Sequence, residues 1–196
     1  MRSNTCLLNG NNPDMEAVYA EVAKVASYNG LTEKQEMHLR LLAEETIGME
    51  KGILGFNEGE FFIDNTDNVY RICIHADINV DIMTKERFLD LAKNGKNEAY
   101  KGFMGKIRFV ADALLNDSGS NPFVYANSEE ISTNPMCVFG NNEYENLWSF
   151  GDFRESMESG GEIWDELEHS IVANLADDII IGVRNNYVDI IVVETI

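Results

Sequence analysis

Cysteine is scarce in this sequence. Cys6, Cys73 and Cys137 are widely separated, form no CxxC pair and are odd in number. A disulfide framework and a structural zinc site are both excluded as expectations, and reduced thiols in a cytoplasm are expected instead. Long hydrophobic runs are also missing, since no apolar stretch approaches the ~18–20 residues that cross a bilayer. The start of the chain, Met1 to Asn9, is too short and polar for a secretory signal. Basic residues are few: 15 Lys and Arg face 34 Asp and Glu, a net charge of −19. They form no basic patch, so neither nucleic acid nor an anionic membrane surface is an expected partner. The same charge suits either solubility or an acidic face for a basic protein partner.

What is present suits one globular domain. The 196 residues are 44% apolar and 25% charged, enough for a single core without staples. Asn12-Pro13-Asp14 suits a helix start, with Asn12 as the cap, and Asn29-Gly30 a helix stop. Met15, Val18, Tyr19, Val22, Val25 and Ala26 recur between them at helical spacing. Thr32 and Gln35 form a capping box for a second helix over about residues 33–51. Its stripe is read as His38, Leu41, Leu42, Glu45 and Met49, which puts a carboxylate in an apolar face.

Two strands, 60–64 and 69–76, flank the turn Asn65 to Asn68. In the second, Tyr70, Ile72, Ile74 and Ala76 point one way and Arg71, Cys73 and His75 the other. A short helix capped by Thr84 and another from Asn97 to about Leu115 follow. Residues 116–160 hold two of the three prolines and many Asn, Ser and Gly, and read as an irregular insertion or lid. A helix resumes near Glu162. The chain closes with a hairpin around Asn185-Asn186, whose core face carries Ile179, Ile181, Val183, Val188, Ile190 and Val192. Ile180, Tyr187, Ile191 and Val193 form an outer face that is more apolar than solvent requires.

That order of elements, with particular residues in it, resembles the GHKL ATPase superfamily of histidine kinases, mismatch-repair ATPases, topoisomerases and heat-shock chaperones. The likeness covers about residues 12–115 and the last hairpin. Leu41-Leu42-Ala43-Glu44-Glu45-Thr46-Ile47-Gly48-Met49 is similar to the helix that bears the family's water-activating Glu and, four residues on, its magnesium-binding Asn. Glu45 takes the first position and Met49 the second. A thioether is a poor ligand for Mg²⁺, so the resemblance implies ATP or ADP binding with lost or weak catalysis. Asp77 matches the Asp that reads the adenine amino group, with Asn79 where the family's first glycine stands. Gly102-Phe103-Met104-Gly105-Lys106 is similar to a phosphate-cradling glycine box. Lys96 and Asn97 would then belong to the lid.

Other readings of these residues stay open. Gly102 and Gly105 suit a close helix–helix contact equally well. Asp77 suits a plain strand end, and Glu45 the border of a core. Ser170 to Ile179 offers a second alignment, similar to anti-sigma-factor kinases, on which the glycines are lost. His38, His75 and His169 are singletons with structural roles expected, and no metal site is expected. The fold expected is α+β: a two-layer sandwich with a mixed, mainly antiparallel sheet and helices on one face. The rival function is a nucleotide-free module that holds a protein partner or a second copy through Ile180, Tyr187, Ile191 and Val193.

Overall fold

The computed structural model describes residues 1–9, 13–53, 58–77, 146–151, 171–184 and 187–196. Helix α1 spans Met15–Asn29, and its N-cap is Asp14, whose carboxylate accepts from the Ala17 amide at 3.2 Å. The expected cap, Asn12, lies outside the described residues. Gly30 ends α1 in the left-handed conformation, φ 67°, where its amide meets the Ala26 and Ser27 carbonyls. Helix α2, Glu33–Ile53, opens on the expected capping box. The Gln35 amide donates to Thr32 Oγ1 at 3.4 Å, and the Thr32 amide donates to Gln35 Oε1 at 2.9 Å. A short helix α3, Ile171–Leu175, precedes the closing strands.

The strands are β1 (Cys6–Asn9), β2 (Glu58–Thr66), β3 (Val69–Asp77), β4 (Asn146–Ser149), β5 (Asp178–Arg184) and β6 (Tyr187–Thr195). They form one sheet in the order β1-β2-β3-β6-β5-β4, and every pairing among the described residues is antiparallel. The two edge strands are four residues long, which limits the unpaired backbone they present. Between β2 and β3 the turn is tighter than expected. Asn65 and Thr66 still pair with Tyr70 and Val69, so only Asp67 and Asn68 turn the chain, both at positive φ (53° and 68°). Strand β4 lies within residues 116–160, the stretch read as an irregular insertion or lid.

Alternation divides the sheet into two faces. Phe61, Ile63, Ile72, Ile74, Ile190 and Val192 meet Val18, Val22 and Val25 of α1 and Leu39, Leu42 and Ile47 of α2 in the main core. The opposite face is not open. Phe62, Cys73, Ile180, Ile191 and Val193 form a second cluster, each at most 3% exposed in the single chain. Arg2 lays its guanidinium over the Phe62 ring at 3.6 Å. Ile180, Ile191 and Val193, expected on an outer face, are thus buried in the single chain. Tyr187 alone of that set stays exposed. Burial on both sides explains the unbroken apolar runs Phe61-Phe62-Ile63 and Ile190-Ile191-Val192-Val193.

Candidate functional site

Helix α2 packs on β3 and β6 at the middle of the sheet. Among its described side chains, Leu39, Leu42, Ala43, Thr46 and Ile47 are buried. The packed stripe is thus turned by one residue from the one read in the sequence. Thr46 caused that misreading: its hydroxyl is buried because it donates to the Leu42 carbonyl at 2.6 Å, so a polar residue sits mid-face without cost. Glu45 is half-buried at the margin of the stripe, the border position left open above. Met49 follows one turn later on the same helix.

Strand β3 ends at Asp77, in register with Tyr187. Two pairs further in, His75 faces Asp189, and the His75 Nδ1 to Asp189 Oδ1 distance is 2.5 Å. Asp189 is fully buried, and its Oδ2 has no hydrogen-bond partner among the described residues. Gly182 of β5 sits opposite Asp189 on the other side. The His75 ring stacks on Tyr187, centroids 4.7 Å apart and planes 14° from parallel. A buried carboxylate at Nδ1 fixes the orientation of the imidazole ring. His75 is therefore no singleton. The only hint in the sequence was Asp189, a lone charge inside an apolar strand.

His38 is not isolated either. Its Nε2 lies 3.6 Å from Glu194 Oε1 across the contact between α2 and β6. Burial, and after it the charge of Asp177, pushes the Glu194 carboxyl up to about 7. Burial also raises the Cys73 thiol well above its usual range, which leaves it a poor nucleophile.

Asn79, Lys96, Asn97, Gly102, Gly105 and Lys106 lie outside the described residues, as do the helices expected from Thr84 and Asn97 and the turn Asn185-Asn186. Of the expected nucleotide site, the described residues include only α2 with Glu45 and Met49, and the β3 terminus at Asp77. They contain no group of three His, Cys, Asp or Glu side chains able to hold a metal ion. No described helix is long and apolar enough to cross a membrane. No family model matches the chain, and no curated protein or solved structure matches it at a significant level.

Proposed function

We propose that this chain is a GHKL-like domain that binds ATP or ADP in a binding or regulatory role. The observation that carries the reading is the direct packing of α2, which bears Glu45 and Met49, on β3, which ends in Asp77. The resemblance requires those two elements to be neighbours, and the closing hairpin β5–β6 to join the sheet beside β3. On this reading Asp77 accepts from the adenine amino group, and Asn79 takes the place of a glycine beside it. Lys96, Asn97, Gly102, Gly105 and Lys106 meet the phosphates. Glu45 is the general base of any residual hydrolysis. Met49 offers Mg²⁺ no oxygen, so nucleotide binding is expected to depend little on the metal.

Thermal unfolding with ADP or ATP, with and without Mg²⁺, tests this directly. A ligand of the native state at 100 times its Kd adds about 2.7 kcal/mol of apparent stability. The expected result is a rise of several degrees with ADP that Mg²⁺ barely alters. No rise with either nucleotide contradicts the proposal.

The rival reading is a nucleotide-free interaction module. It is favoured by the succession of α3 and β5, which suits the alignment that discards the glycines. Its contact surface narrows to the neighbourhood of Tyr187, because Ile180, Ile191 and Val193 are buried.

A further inference from the structure

Strand β1 keeps step with β2 from Asn9↔Glu58 to Cys6↔Phe61, with Cys6 and Leu8 on the core face. Carried back without a break, that register would set Asn4 opposite Ile63 and Arg2 opposite Asn65, both on the core face. Arg2 bridges to Asp64 instead. Between the two pairings, Ser3, Asn4 and Thr5 stand against only Phe62 and Ile63. One extra residue on one strand is a β-bulge, and every side chain beyond it changes face. Arg2 accordingly lies on the second face of the sheet, its guanidinium 3.6 Å from the centre of the Phe62 ring.

The bulge interrupts the ladder, so its donors need other partners. The Ile63 amide donates to Ser3 Oγ at 2.9 Å, and Ser3 Oγ donates to the Asn4 carbonyl at 2.9 Å. The Asn4 amide turns from β2 to Glu21 Oε2 at 3.2 Å, and Asn4 Nδ2 donates to Glu21 Oε1, also at 3.2 Å. Glu21 belongs to the packed stripe of α1 with Val18, Val22 and Val25, and is only 7% exposed. Lys24, nearly one turn on, supplies its counter-charge. A carboxylate accepts at both oxygens and donates nothing, which matches two N–H donors from one residue. Beyond the bulge the ladder resumes. The Ser3 amide donates to the Ile63 carbonyl at 2.8 Å, and the Asn65 amide to the Met1 carbonyl at 2.7 Å.

We propose that Glu21 is a positioning residue: it holds the bulge at residues 3–5, and the bulge turns Arg2 over Phe62 as a strap on the second hydrophobic cluster. Phe62 is 1% exposed and pairs with Cys73 inside that cluster. In an unbulged segment of the same length, Arg2 would point toward the layer of α1 and α2, where burying a guanidinium without a partner is costly. The segment would then leave β2 rather than keep the plain register. The seat of Arg2 on one face of the sheet thus depends on a carboxylate on the other.

Amide exchange and NMR of the full chain, for wild type and Glu21→Ala, are the test. The Ile63 and Asn65 amides report on the strap because both donate to it, and the Arg2 Hε resonance reports on the Phe62 ring current. In Glu21→Ala, exchange at Ile63 and Asn65 is expected to be at least roughly ten-fold faster, with the amides between β3 and β6 unchanged. The Arg2 Hε resonance is expected to move toward its unfolded position. Deleting Asn4 removes the extra residue and leaves Arg2 opposite Asp64 by plain alternation. In that background Glu21→Ala should leave the Arg2 resonance in place, whereas a Glu21 that only adds stability would act alike in both. Unchanged exchange and an unmoved Arg2 resonance in Glu21→Ala overturn the proposal, and so does an equal shift in the deleted chain. If Glu21→Ala does not fold, Glu21→Gln, which keeps one acceptor, takes its place under the same two criteria.

Discussion

Gly30 shows how one residue fixes the joint between α1 and α2. Its φ of 67° is left-handed, its amide closes the end of α1, and the Leu31 amide returns to the Ala26 carbonyl at 2.9 Å. A Cβ added at Gly30 would meet nothing within 4 Å. Gly30→Ala therefore carries no packing penalty, and its cost is conformational. The expected loss is about 1 kcal/mol in urea unfolding, with the denaturant slope unchanged. A loss above about 3 kcal/mol would mean that the residue does more than turn the chain. Asp189 is the contrasting case. Its function in the fold depends on a partner 114 residues away, and nothing local in the sequence names His75 as that partner.

The elements differ in how far the sequence disclosed them, and the difference has physical causes. The faces of β3 and β6 were legible because side chains alternate strictly along a strand, so one correct assignment fixes the rest. The capping box of α2 was legible because both partners lie within one turn. The phase of α2 was not, since a buried Thr that bonds its own backbone looks polar in the sequence. Strands β1 and β4 were missed because four residues are too few to display a period, and their neighbours in the sheet are supplied by distant β2 and β5. Of the nucleotide site, Glu45 and Asp77 could be named from the resemblance, while the half-buried border position of Glu45 required the helix packed in place. The β2–β3 turn yields an expectation of its own. Asn68 sits at φ 68°, which glycine adopts without strain, so Asn68→Gly should stabilise the chain by about 0.5 kcal/mol. A lower unfolding midpoint in urea would contradict the two-residue turn.

At the scale of the whole molecule, an antiparallel sheet is buried on both faces, and the main core binds α1 and α2 to its centre. This establishes an α+β fold. Helix α2 lies on the middle of that sheet, against β3 and β6. The net charge of −19 sets a condition on any nucleotide. An anionic phosphate chain is repelled at long range, so its binding has to come from donors close at hand, the role proposed for Lys96, Lys106 and the backbone at Gly102 and Gly105. On the proposed reading, Asp77 is the group that distinguishes adenine from other bases. Isothermal titration of ADP into the wild-type chain and into Asp77→Asn tests this most directly. The account predicts saturable binding to the wild type and an affinity at least about ten-fold weaker in the variant, the loss of one charged hydrogen bond. Absence of binding to the wild type, or equal affinity in the two proteins, would contradict it.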